Sequence, residues 1–139
     1  MNSNVELRKL GLIDYKEAWD YQENLFEEIV LAKQQKREMK AKELTPNYLI
    51  FCEHPHVYTI GKSGKETNLL INEEMLTRRG ASLYKINRGG DITYHGPGQL
   101  VGYPILDLDN FSLSIKSYID RLEEVIIRTL KRYGINSTR

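Results

Sequence analysis

Tyr48-Leu-Ile-Phe-Cys-Glu-His-Pro-His-Val-Tyr-Thr-Ile60 holds two short apolar runs on either side of a proline. Tyr48 to Cys52 has the length and the apolar, aromatic content of a buried strand, Pro55 stops it, and Val57 to Ile60 begins a second. Working outward, Pro46 closes whatever precedes the pair and Gly61 to Gly64 forms the loop beyond it. Asn72 is placed to cap a short helix running to Arg79, with Gly80 as its stop. Ala81 to Asn87 alternates as a third strand, and Leu100 to Leu108 as a fourth. Pro104 pushes that fourth strand toward an edge or a bulge, because proline donates nothing to the ladder. Two helices flank the set. Asp14 and Glu17 have the spacing of a capping box, and Ala18, Tyr21, Leu25, Ile29 and Ala32 recur on one face, widened by Trp19, Phe26 and Val30. The aromatics Tyr15, Trp19, Tyr21 and Phe26 are expected in the core. Ile115, Tyr118, Ile119, Leu122, Val125, Ile126, Thr129, Leu130 and Tyr133 share a face of the second, with Gly134 as a left-handed C-cap. Strands between helices of this length imply an α+β or α/β layer fold in one domain spanning residues 1–139, without internal repeats or linkers.

The composition narrows the function. The 139 residues carry 20 Lys+Arg against 19 Asp+Glu, a net charge of +1, so bulk electrostatic capture of nucleic acid or of an anionic membrane has no support. A single cysteine excludes an internal disulfide, and the start of the chain, Met1 to Leu12, is charged where a signal peptide would be apolar. A cytoplasmic protein with neither nucleic-acid nor membrane partners is expected. Lys33 to Lys42 holds five basic residues and one acidic. That run is either a solvated helix end or a docking face for an acidic protein, and charge alone leaves both open.

Arg88 to Gln99, RGGDITYHGPGQ, is the segment that carries chemistry. Four of the chain's ten glycines (Gly89, Gly90, Gly96, Gly98) fall within it, interleaved with Arg88, Asp91, Thr93, Tyr94, His95 and Gln99. Glycine at this density lets a backbone take positive φ and approach a ligand with its amides pointing inward. The spacing fits neither a dinucleotide fingerprint nor a phosphate-binding P-loop, and Gly61-Lys62-Ser63 only mimics the tail of the latter.

Arg88-Gly-Gly-Asp-Ile-Thr-Tyr-His-Gly-Pro-Gly-Gln-Leu-Val-Gly-Tyr-Pro-Ile105 resembles the signature of the octanoyltransferases of lipoate synthesis, also called lipoate-protein ligase B. Glu53-His-Pro-His-Val-Tyr-Thr-Ile-Gly61 and Asn68-Leu-Leu70 resemble that family's first loop and its continuation. The resemblance runs from about Leu7 to the end of the chain. It implies a cofactor-free acyltransferase that takes an octanoyl group from acyl carrier protein and places it on a lysine of a lipoyl domain, in 2-oxoacid dehydrogenases or the glycine cleavage H protein. It also implies an α+β fold, a mixed sheet flanked by helices, of the biotin and lipoate ligase type related to class II synthetases. By position, Arg88, Gly89, Gly90, Asp91, Ile92, Thr93, Tyr94 and His95 would line the acyl pocket, with Tyr94 and His95 near the reacting carbonyl.

One departure shapes the expectation. Members of the family form an acyl-enzyme on a cysteine in a Pro-Cys-Gly segment poised by a lysine, and neither has a counterpart here. The resemblance therefore implies the N-terminal part of such an enzyme, incomplete at its C-terminus and inactive alone. A non-catalytic acyl- or partner-binding module is one alternative, and an ATP-dependent lipoate-protein ligase another. Cys52 with His54 two residues on mimics a nucleophile pair, but a buried, inert thiol is the expected reading. His54, His56 and His95 lack the companions of a metal site, so none is expected. The lysine-rich end of the first helix, with Arg78, Arg79 and Lys85, would suit acidic protein partners.

Overall fold

The computed structural model describes residues 2–39 and 44–139; Lys40 and Lys42 of the basic run lie outside them. The chain runs β1 (Glu6–Leu12), α1 (Tyr15–Met39), β2 (Tyr48–Glu53), β3 (Val57–Ile60), α2 (Glu73–Arg78), β4 (Ser82–Lys85), β5 (Ile92–His95), β6 (Val101–Ile105) and α3 (Ile115–Arg132). Its local signals act as their chemistry requires. The Asp14 carboxylate accepts from the amides of Lys16 at 2.7 Å and Glu17 at 3.4 Å, satisfying donors that a helix start leaves unpaired. Asn72 does the same for Met75, and Gly80 ends that helix at φ +61°. At the end of α3, Ile135 donates to the Leu130 carbonyl and Gly134, at φ +75°, to that of Lys131, a complete Schellman cap.

The α+β expectation holds, with the strands divided between two mixed three-stranded sheets ordered β1-β2-β6 and β4-β3-β5. In each, the central strand has one parallel and one antiparallel neighbour. Two strands lie outside the sequence expectations. β1 alternates poorly because it is an edge strand, and Leu7 and Leu12 stay more than half exposed. β5 emerges inside the glycine-rich segment, where four residues between glycines carry no periodic signal; pairing with β3 creates it. Pro104 sits on the edge strand β6, opposite Leu49, where it breaks no interior ladder.

The core forms where α1 crosses the first sheet. Leu25 and Ile29 bury against Tyr48 and Ile50, with Leu10, Tyr21, Tyr103 and Ile105 around them. Phe26 and Val30, expected on the same face, instead point to solvent at 60% and 44% exposure. A buried polar knot ties the opposite end of α1. Asp107 accepts from Lys33 Nζ at 2.6 Å, Thr45 Oγ1 at 2.7 Å and the Asp109 amide at 3.2 Å, while Asn110 and Asn47 bond to Thr45 and to residues 2–4. Every apolar residue of α3 stays at least partly exposed, and the helix lies along the face of the first sheet opposite α1.

The two sheets meet at a double crossover. β2 passes into β3 through Glu53 to His56, and β5 into β6 through Gly96 to Leu100. The Gly98 amide donates to Glu53 Oε2 at 2.8 Å, tying the two crossovers together. His54, wholly buried, sits at this bend.

Candidate functional site

The glycine-rich segment is held by a neighbouring loop. Gly61 N donates to the Asp91 carbonyl at 2.9 Å, Lys62 N to that of Arg88 at 2.8 Å and Ser63 N to that of Gly90 at 3.3 Å. The carbonyls of Arg88, Gly90 and Asp91 are therefore spent on this zipper, where the sequence suggested inward-pointing amides. A Cβ on Gly61 would stand 2.5 Å from Gly90 O and 2.8 Å from Arg88 O, so this close approach requires glycine. Gly89 has open space beside it, whereas Gly90 sits at φ +87°. The Asp91 carboxylate accepts from Lys65 N at 3.3 Å and Asn68 Nδ2 at 2.6 Å. Its oxygens brace the loop that follows β3, and Asn68 finds its role as the other half of that brace.

The strand pleat then sorts the remaining residues. Along β5 successive side chains alternate between faces, so Thr93 and His95 share one face and Ile92 and Tyr94 the other. On the first face, the Arg88 guanidinium donates to Thr59 Oγ1 at 3.3 Å and folds back on the carbonyls of Gly89 at 2.7 Å and Asp91 at 3.3 Å. His95 stacks on Tyr15, centroids 6.1 Å apart, and meets His54 edge-on at 5.9 Å. On the second face, the Tyr94 hydroxyl bonds His56 Nδ1 at 2.6 Å and its ring leans on Tyr58. The strand thus separates Tyr94 from His95, which the sequence reading had placed together at a reacting carbonyl.

Between α1 and the start of the glycine-rich segment lies a cavity of ≈ 220 Å³ lined by Tyr15, Trp19, Gln22, Ile86, Asn87, Arg88 and Tyr103. Only Arg88 among the sequence-derived site residues is on this lining. Tyr15 and Trp19, expected as core, form its aromatic wall. Trp19 and Gln22 share one side of α1 a turn apart, and Asn87 adjoins Arg88, a pattern the sequence displays but helical periodicity alone attributes to packing. Burial raises the Tyr15 hydroxyl pKa, with the Arg88 guanidinium opposing part of the rise. Burial likewise raises that of Tyr103. Both phenols therefore stay protonated at neutral pH.

Behind the wall stands a fixed relay. His54 Nδ1 lies 2.9 Å from the Ile13 carbonyl, which can only accept, so His54 Nε2 carries the lone pair that receives the Tyr103 hydroxyl at 2.8 Å. Cys52 Sγ lies 3.7 Å from this same Nε2. The nitrogen is already engaged, the thiol is buried as expected, and burial raises its pKa, so nothing here activates Cys52 as a nucleophile. No cluster of metal-ligating side chains occurs among the described residues. No helix among them is long and apolar enough to cross a membrane.

Larger apolar grooves, ≈ 510 and ≈ 620 Å³, flank Phe51 and Leu100 on the other face of the first sheet, the second of them bounded by Leu122, Val125 and Ile126 of α3. The second is lined by apolar residues throughout, whereas Lys9 and Glu53 are among the lining of the first. The smaller cavity is the better site candidate because aromatic walls meet a cation and two amides there.

Solved lipoate ligases share this arrangement. A putative lipoate protein ligase from T. acidophilum, solved with bound lipoic acid, superposes with a TM-score of 0.56 at 16% identity, covering 96% of this chain and 49% of that one. A lipoate-protein ligase A bound with ATP gives 0.54 at 16% identity, covering 98% and 49%. The fold is therefore that of the lipoate-protein ligases. Residues 14–139 match the model of the lipoyl protein ligase A/B catalytic domain, and the chain belongs to that family. It is 60% identical over 139 residues to an octanoyltransferase of Christiangramia forsetii and 58% identical to one of Flavobacterium psychrophilum. All of this chain is covered, against 59% and 60% of those proteins, so it spans about three fifths of the length of the curated relatives it matches.

Proposed function

We propose that this chain is the acyl-holding part of an octanoyltransferase, in which the Tyr15–Trp19–Arg88 cavity receives an octanoyl chain. The observation that carries the reading is that cavity: a lining in which Tyr15, Trp19, Tyr103 and Ile86 join Arg88, Asn87 and Gln22 suits an unbranched tail with a polar head. At ≈ 220 Å³ it is smaller than the ~300–1,000 Å³ of sites for drug-sized ligands, which favours a short chain over a nucleotide. The identity of 58–60% to octanoyltransferases supports the same assignment.

In this reading the donor is the thioester of octanoyl-acyl carrier protein and the acceptor a lysine of a lipoyl domain, in 2-oxoacid dehydrogenases or the glycine cleavage H protein. Transfer through a cysteine needs an activated thiol, and Cys52, the only cysteine of the 139 residues, is buried and protonated. The acyl-cysteine step then belongs, as the family resemblance implies, to a Cys/Lys pair that these 139 residues do not contain. Docking of the acidic carrier falls to Lys36, Arg37 and Arg79, because Arg78 is paired with Glu74, Lys85 with Glu66 and Lys33 with Asp107 and Asp109.

Trp19 is the chain's single tryptophan and lines the cavity, so its emission reports occupancy directly. Titration with S-octanoyl-pantetheine should shift and saturate that emission, with the butanoyl and hexadecanoyl thioesters weaker. An emission unmoved by the octanoyl thioester would refute the assignment.

A further inference from the structure

Gln99 is exposed, follows the Gly96-Pro-Gly98 turn, and points its side chain back at His95. Its Oε1 lies 2.7 Å from His95 Nδ1. An amide oxygen only accepts, so this contact puts the proton of a neutral His95 on Nδ1 and leaves the lone pair on Nε2. Among the described residues Nε2 makes no hydrogen bond. The groups packed around the imidazole do not compete for it. Tyr15 contributes a ring face, and His54 is committed to the Ile13 carbonyl and the Tyr103 hydroxyl. The turn that carries Gln99 is fixed from a distance, since Gly98 at φ +83° donates its amide to Glu53 Oε2 on the other crossover.

We propose that Gln99 is a positioning residue that locks His95 in its Nδ1–H form, so that His95 Nε2 serves as a hydrogen-bond acceptor. The inference rests on the acyl-site reading for its purpose. A neutral imidazole so locked cannot donate to an oxyanion through Nε2. It can receive a proton-bearing group, the N–H of an amine or the S–H of a thiol, either of which a reacting partner in acyl transfer presents. The stabilisation of a developing oxyanion then falls to other donors, and His95 faces the nucleophile side of the reaction.

The test is long-range 1H–15N correlation on the histidine-labelled chain at pH about 8.5, roughly two units above the ordinary imidazole value. The chain has three histidines, and His54, whose tautomer the Ile13 carbonyl fixes independently, is an internal reference. His95 is expected to show a protonated Nδ1 and a bare Nε2. Gln99→Leu should abolish that single form, giving a mixture or the Nε2–H form, while the His54 pattern and the thermal midpoint stay as in the wild type. A purely structural role for Gln99 would move the midpoint and leave the tautomer alone. A bare Nδ1 in the wild type, or an unchanged tautomer in Gln99→Leu, would overturn the inference. Octanoyl-pantetheine binding measured on the same samples separates the two readings: lost binding with the tautomer as expected refutes the acyl site only, and intact binding with the opposite tautomer refutes the role of Gln99 only.

Discussion

Replacing Gly61 by alanine sets a methyl carbon 2.5 Å from Gly90 O, 2.8 Å from Arg88 O and 3.1 Å from Gly89 O. All three are backbone atoms, so no side chain can swing aside. The chain has two ways to respond. If the loops stay zipped, the overlap is borne as strain, and overpacking of this kind costs about 1–3 kcal/mol. If they part, the bonds from Gly61 N to Asp91 O, Lys62 N to Arg88 O and Ser63 N to Gly90 O are lost, at about 0.5–1.5 kcal/mol each. The two routes together bracket a loss of about 1–4 kcal/mol, a large share of the ~5–15 kcal/mol that holds a domain together. Urea unfolding followed by Trp19 emission measures the loss, and hydrogen exchange at the Lys62 amide reports which route was taken. Gly89→Ala is the control, since its Cβ would meet nothing within 4 Å, and should stay within about 0.5 kcal/mol of the wild type. Gly90→Ala, at φ +87°, falls between, at about 1–2 kcal/mol. A Gly61→Ala protein with wild-type stability and a wild-type Lys62 exchange rate would refute the zipper as the support of the site.

Three further outcomes follow from the same geometry. Burial pushes the Asp107 carboxyl up, but hydrogen bonds from Lys33, Thr45 and the Asp109 amide outweigh it and hold its pKa below the ordinary value. Its contribution is therefore complete above the unfolded value of about 3.9 and lost as pH falls through the folded one; Asp107→Asn should flatten the acid limb of the stability curve, and an unaltered limb contradicts the knot. Cys52 should resist iodoacetamide in the native chain and react once urea unfolds it, with native labelling counting against its inertness. Val125 and Ile126 leave 57% and 59% of their surface exposed on the apolar face of α3. Val125→Asp with Ile126→Lys should reduce self-association in sedimentation and dye binding without lowering the unfolding midpoint, and an unchanged sedimentation profile would refute that face as adhesive.

The helices, their caps and four of the six strands were legible because their signals are local: Asp14, Asn72 and Gly134 act on amides and carbonyls within one turn. β1 and β5 were not, because an edge strand and a four-residue strand between glycines draw their order from partners distant in sequence. The glycine-rich segment was rightly singled out, yet its residues do not share one pocket. Asp91 turns to Lys65 and Asn68, while Tyr94 and Ile92 take the far face of β5. Periodicity assigned Tyr15 and Trp19 to the core because it records which face of a helix is apolar, and the lining of a cavity satisfies that pattern as well as packing does. The need for glycine at position 61 arises only when two loops separated by some thirty residues meet, a contact invisible to local reading.

The 1H–15N correlation spectrum of the labelled chain, recorded as octanoate is added, decides between the Tyr15–Trp19–Arg88 cavity and the groove beneath α3. Saturable shifts centred on Tyr15, Trp19, Asn87 and Arg88 are the expected result. Shifts confined to Leu49, Leu122, Val125 and Ile126 would place the acyl chain in the groove beneath α3 and contradict the account.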